Sequence, residues 1–362
     1  MAATQLSHYR PMSVRDVLFG TLTFVVSSTA ALAQGQSDHE LYRPEPGYGW
    51  RPDHASSTGP AGSIPLLVKK GEWRFSTRLE QHEFDGLRDR TEDISNSQAF
   101  ATRGYSFVPT TQTSRTTRFE VGYGVSDDLT IGIEVPYLDK QMDNLTSMGA
   151  AFETSSKGLG DVRLWAHNKW MRWGSEQAVW SIALDLPTGS FDETDVRPGS
   201  ASPVVLPYSM QLGSGTYDVT PMATWTGYHE RWSWGGTILH TWRLGGPNDR
   251  RYTLGTYRAF SLWAGRELTR SMIGNVGIRW SRQGDVHGED PALNVFLSPA
   301  EHHNQQKVKR LDVMTGITFY QPEGALKGLR FGLEFGFPLF EQLRGPQLST
   351  DYFTTLGLRW SF

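Results

Sequence analysis

Residues 129–139 read Leu-Thr-Ile-Gly-Ile-Glu-Val-Pro-Tyr-Leu-Asp. Leu129, Ile131, Ile133, Val135 and Tyr137 take every second position, with Thr130, Gly132 and Glu134 between them. Side chains alternate between two faces only in a β-strand, so this spacing makes one apolar and one polar face. A strand that shows one side to lipid and the other to a polar lumen needs that pattern. It recurs upstream, where Phe119, Val121, Tyr123 and Val125 oppose Glu120, Gly122 and Gly124. Near the C-terminus Leu329, Phe331, Leu333, Phe335, Phe337 and Leu339 oppose Arg330, Gly332, Glu334 and Gly336. In the last segment Tyr352, Thr354, Leu356, Leu358, Trp360 and Phe362 oppose Asp351, Thr355, Gly357, Arg359 and Ser361.

Counting such segments predicts an antiparallel up-and-down transmembrane β-barrel of about twelve strands. The spans are 72–83, 115–125, 129–139, 161–173, 177–189, 216–229, 232–244, 255–268, 271–284, 308–321, 329–341 and 350–362. The connections alternate in length. Loops 84–114, 140–160, 190–215 and 285–307 are long and 245–254, 322–328 and 342–349 medium, whereas 126–128, 174–176, 230–231 and 269–270 are short. Bacterial barrels have this asymmetry, with long loops outside and tight turns in the periplasm, and an even count puts both termini at the short-turn side. A soluble β-sandwich also uses alternating strands, but several outward faces here are Trp, Phe, Leu and Tyr along their length, which water would not tolerate.

Composition agrees. Thirteen Trp, thirteen Tyr and eighteen Phe accompany thirty-eight Gly, at a mean hydropathy of −0.43. A barrel reconciles these values, because its lumen accepts polar side chains and Gly while its outside takes the aromatics. With no cysteine, thiolate catalysis, thiolate metal ligation and disulfides are excluded. The net charge of −3 is small and the charges are interspersed, so no nucleic-acid footprint stands out.

The N-terminus reads as a secretory signal peptide. Arg10 and Arg15 precede an apolar run from Val17 to Leu32, and Ala31-Leu32-Ala33 supplies a small-residue cleavage site, giving a leader of 1–33. Segment 34–71 carries Pro44, Pro46, Pro52, Pro60 and Pro65, which disfavour regular structure, and reads as an irregular periplasmic lead-in or a lumen plug. The barrel then occupies 72–362, and Phe362 ends the strand expected to engage the barrel-assembly machinery.

The polar faces place Arg74, Arg78, Glu80, Arg118, Glu120, Glu134, Arg163, His167, Lys169, Asp185, Asp218, Arg243, Arg279, Arg310, Asp312, Arg330, Glu334 and Arg359 toward the lumen. Rings of charge select permeating solutes, and opposite charges also pair across a narrow lumen. In loop 285–307, His302 and His303 follow Asp285, His287, Glu289 and Asp290, but their spacing matches no closed zinc pattern, so no metal ligand is assigned. Residues 85–93 lack EF-hand spacing. With no G-x-S-x-G nucleophile elbow, no catalytic residue and no cofactor is assigned.

One set of motifs carries a resemblance. Gly158-Leu159-Gly160-Asp161 opens a strand and Leu186-Pro187-Thr188-Gly189-Ser190 closes the next. Together they resemble the family called putative MetA-pathway of phenol degradation proteins. Gly71-Glu72-Trp73, Val135-Pro136-Tyr137-Leu138, the stretch from Gln211 to Asp218 and Pro346-Gln347-Leu348 are similar to a subgroup found with metal-resistance systems. The resemblance spans most of the chain after about residue 53. It implies an outer-membrane, transporter-like barrel for hydrophobic or aromatic compounds. The Met, His and Asp run of the metal-linked subgroup is replaced here by Ile64-Pro65-Leu66-Leu67-Val68-Lys69-Lys70, which lacks soft ligands for copper. The expected role is therefore passive passage of small solutes through an outer-membrane barrel surrounded by lipid. The alternatives are a metal-linked efflux or sensing barrel and a non-conducting structural one.

Overall fold

The computed structural model describes Pro65 and residues 67–361 apart from 270, 322 and 325. The expected leader, nearly all of segment 34–64 with Leu66, and Phe362 lie outside the described residues. Twelve strands form the wall: β1 (Trp73–Arg90), β2 (Phe107–Gly124), β3 (Leu129–Thr146), β4 (Ala151–Leu159), β5 (Val162–Trp173), β6 (Glu176–Leu186), β7 (Tyr217–His229), β8 (Trp232–Leu244), β9 (Tyr257–Thr269), β10 (Met272–Gln283), β11 (Val308–Tyr320) and β12 (Arg330–Ser361).

All barrel pairings are antiparallel, and β1 closes the ring against β12 from Arg74↔Ser361 to Arg90↔Leu343. β4 and β5 lie end to end along β3, so they form one crossing between them. β12 pairs with β11 over Arg330–Leu343 and with β1 over Leu343–Ser361. Because β11 and β1 run in opposite directions, β12 reverses between these stretches, around Gly345 at φ +77. It therefore contributes two crossings, and the wall has twelve, in agreement with the count from alternation.

Two expectations about loops are corrected. β1, β2 and β3 each run for 18 residues, so much of the expected loops 84–114 and 140–160 is strand. Their upper halves carry polar residues on both faces, Gln81, Glu83, Thr113 and Gln141 on the outer and Gln112 and Ser114 on the inner, and so lack the apolar period. Ladder hydrogen bonding continues there regardless, since it requires no lipid contact. Between them, α1 (Asn96–Arg103) is capped by a reciprocal box of Ser95 and Gln98 and stopped at Gly104.

The outward face is apolar and exposed. Phe119, Ile133, Trp180, Ile238, Leu262, Phe319, Leu333 and Leu358 are each 40–58% accessible. Such a surface is stable against hydrocarbon, where a closed barrel leaves no backbone group unpaired. The inward face buries Thr130, Thr237, Ser261, Asn275 and Asp312, so the middle of the molecule is polar.

Several inward glycines exist for a packing reason. A Cβ on Gly122 would lie 2.8 Å from the Trp165 ring, and one on Gly132 would meet the same ring. Gly235 stands likewise under Trp263 and Gly336 under Phe353. Each indole or phenyl ring thus lies flat in a slot in the wall.

Candidate functional site

The eighteen residues named for the lumen alternate along their strands with the exposed apolar positions, so they stand on the face opposite those residues. They meet mostly as ion pairs between neighbouring strands. Arg74 Nη2 lies 2.7 Å from Glu120 Oε1. Arg78 and Arg118 share Glu80 and Glu134: Arg118 Nη1 is 3.0 Å from Glu134 and Arg78 Nη2 is 3.7 Å from it. Arg163 donates two hydrogen bonds to Asp185, at 2.5 and 2.9 Å. Arg243 pairs with Asp218. Asp312, fully buried, holds Arg279 at 2.9 Å and Arg310 at 2.7 Å. A carboxylate out of water needs such partners, because desolvation costs several kcal/mol per ion, on the order of the attraction it gains.

Aromatic rings line the same wall. The Arg74 guanidinium sits 4.9 Å over the Trp165 ring, and Arg279 sits 4.9 Å over Phe353. Arg330 covers Tyr320. His167 stacks on Trp165 at 4.3 Å, and the unforeseen His82 stacks on Phe353 at 5.3 Å. The lumen thus presents guanidinium groups and π-faces together, a combination that receives both charge and flat rings. Arg359 is the least satisfied member: it is 6% accessible, and its Nε and Nη1 atoms have no hydrogen-bond partner among the described residues.

His167 Nδ1 also lies 2.9 Å from Ser181 Oγ, directly across the β5–β6 ladder. Both are buried, and this pair is a lumen hydrogen bond between adjacent strands. The loop acids and histidines are engaged separately. Asp290 pairs with Arg250, Asp285 with Arg344, and Glu289 approaches His303 at 3.5 Å. Among the described residues no three His, Asp or Glu side chains gather as a metal site would require.

The long-loop mouth is covered from inside, a feature the alternation pattern could not report. β4 ends and β5 begins around Gly160 and Asp161, and three chain segments converge there. Asp161 accepts the Gly189 amide at 2.9 Å and the Ser214 amide at 2.8 Å. Thr188 Oγ1 donates to the Gly160 carbonyl at 3.1 Å. A Cβ on Gly189 would lie 2.8 Å from the Gly160 carbonyl carbon, so only glycine permits this approach. The clasp turns residues 204–214 over the lumen, where Leu206 and Met210 pack on Met142. Lys140 Nζ, missed as a site residue, donates to the carbonyls of Ser209 (2.8 Å) and Gln211 (2.6 Å). A cavity of about 320 Å³ remains between this loop and the wall, lined by Arg118, Glu134, Lys140, Arg163, Asp185 and Arg243 among others. Loop 285–307 completes the cover. Tyr208 packs against Tyr252 and Val286, and its hydroxyl accepts the Asp290 amide at 3.1 Å. Burial pushes the Tyr208 phenol up to about 12, so it stays protonated.

Comparison with solved structures finds this fold elsewhere. An outer-membrane channel from Pseudomonas putida F1 superposes with a TM-score of 0.57 at 14% identity, covering 83% of this chain and 100% of that one. The TodX monoaromatic hydrocarbon channel, as a mutant, gives 0.45 at 10% identity over 82% and 91% of the two chains. The transport unit of the autotransporter AIDA-I from Escherichia coli gives 0.44 at 11% over 86% and 100%. No family model and no curated protein matches the sequence.

Proposed function

We propose that the protein is a passive channel of the Gram-negative outer membrane, admitting small solutes and, among them, aromatic compounds that carry a carboxylate. The fold shared with an outer-membrane channel supports the first part. The observation that carries the second is the inner wall, where Arg74, Arg279 and Arg330 lie over aromatic rings and Arg359 keeps N–H groups that no described residue uses. A flat anion would exchange its water for guanidinium N–H donors and a ring face, whereas a plain hydrocarbon would have to pass a wall of charges. The motif resemblance to barrels associated with phenol degradation supports aromatic solutes, and the carboxylate is inferred from the arginines alone. No catalytic step is assigned.

The test is single-channel conductance of the refolded mature chain in a planar bilayer. Steady current, interrupted by benzoate and unaffected by neutral benzyl alcohol, is the expected result. Equal block by both, or by neither, would remove the solute assignment while leaving the pore. A second reading follows from the loop cover: with Met210 and Tyr208 packed across the mouth, the barrel is closed until the loops move. Silence from the intact chain and current after shortening 199–203 would establish it.

A further inference from the structure

The outer surface of β9–β11 holds a row of charge that the lumen does not explain. Arg258 lies directly opposite Arg282, and Arg282 directly opposite Lys309, all three on the lipid side of the wall. Directly opposed like charges on neighbouring strands destabilise a sheet. No carboxylate among the described residues pairs with any of the three. Two residues nearer the membrane centre, the next outward rung is Ile238, Phe260, Trp280, Leu311 and Phe340, each directly opposite the next, with a register shift just past Leu311.

Height in the membrane fits. The three cations stand ten or eleven residues from the short-turn ends of their strands, at Thr269, Met272 and Tyr320. At about 3.3 Å per residue and a tilt of roughly 40°, that is on the order of 26 Å, the thickness of the apolar band. The row therefore lies where the outer-leaflet hydrocarbon ends. Beyond Lys309 it opens into a pocket of about 500 Å³, lined by Arg90, Lys307 and Arg344. The pocket's Asp89 is bonded to the Gly345 amide, and Arg344 is held by Asp285.

At the same height on the opposite wall the outward charges alternate in sign: Arg115 faces Asp139, and Asp139 faces Lys157. That wall neutralises itself. The β9–β11 wall does not, and its geometry, cations above and an aromatic and aliphatic rung below, matches a phosphorylated headgroup above acyl chains.

We propose that this face binds a phosphorylated lipid of the outer leaflet, the phosphates on Arg258, Arg282 and Lys309 and the chains on Phe260, Trp280 and Leu311. The proposal rests on the outer-membrane placement above and not on conduction. Its test is native mass spectrometry of the folded, detergent-solubilised barrel with bis-phosphorylated lipid A, with the same lipid dephosphorylated, and with inorganic phosphate. The phosphorylated lipid should be retained, and the R258Q/R282Q/K309Q variant should bind it on the order of 100-fold more weakly. R115Q/K157Q on the far wall should match the parent. In lipid-free detergent the triple variant should resist heat at least as well as the parent, since a repulsion is removed, which separates lost binding from lost folding. Unchanged retention in the triple variant, equal retention of the dephosphorylated lipid, or displacement by inorganic phosphate at matched concentration would each overturn it.

Discussion

At the scale of single residues, the inner wall is a packing problem as much as an electrostatic one. A Cβ at Gly122 meets only side-chain atoms, Trp165 at 2.8 Å and Arg74 at 3.6 Å. Gly122→Ala should therefore cost about 1–3 kcal/mol through overpacking, and Trp165→Ala should relieve most of that cost. A double-mutant cycle of heat-dependent gel mobility measures the coupling; purely additive effects would mean that the ring does not occupy the slot. Asp312 presents the opposite case, one carboxylate serving two arginines. Asp312→Asn leaves both cations buried without a counter-charge and should lower stability by about 3 kcal/mol, whereas Arg279→Gln, which leaves the Arg310 pair intact, should cost less. Denaturant titration of the two variants in one detergent ranks them.

At the scale of elements, the strands were legible from the sequence and the loops were not. Alternation placed all twelve crossings because lipid on one side and polar lumen on the other impose a period of two on every membrane-facing residue. It failed where that pressure ends, in the upper halves of β1–β3, and it had no means to show that residues 204–214 fold inward. The residues that accomplish this were visible as motifs. Gly158-Leu159-Gly160-Asp161, Thr188-Gly189 and Leu212-Gly213-Ser214 read singly as turn formers, and only the fold shows that they meet. Likewise the lumen positions of Arg74 or Glu334 were legible, while their partners depended on register. The clasp makes its own prediction. Asp161→Ala removes a charged acceptor from two amides, each such bond contributing about 1.5–3 kcal/mol. The loop should detach while the barrel stays closed, so current noise and open time should rise while the melting temperature of the wall is unchanged. An unaltered current record with unprotected Gly189 and Ser214 amides in hydrogen exchange would show that the clasp does not govern the mouth.

At the scale of the whole molecule, charge is distributed along the lumen unevenly. In the middle, arginines and carboxylates pair closely, from Arg78 with Glu134 to Arg279 with Asp312. Toward the short-turn end Arg74, Arg330 and Arg359 gather where β1, β11 and β12 start or finish, and Glu120 is the carboxylate that Arg74 holds. A solute crossing the barrel thus leaves a nearly neutral corridor past Arg359, whose Nε and Nη1 have no hydrogen-bond partner among the described residues. Permeation through a cationic constriction favours anions, because a ring of charge in a narrow, low-dielectric passage raises the local concentration of counter-ions. In a potassium chloride gradient the reversal potential should accordingly lie on the chloride side. Arg359→Gln should move it toward zero and Arg359→Glu further in the cation direction than the Gln variant, with Arg258→Gln on the outer face leaving it in place. Screening provides the internal control. The Debye length falls from about 10 Å at 0.1 M salt to about 3 Å at 1 M, so selectivity set by these groups should weaken as salt rises. Selectivity that persists at 1 M would instead reflect the width of the passage under residues 204–214, and would shift the search for the filter from the arginine end to the clasped loop.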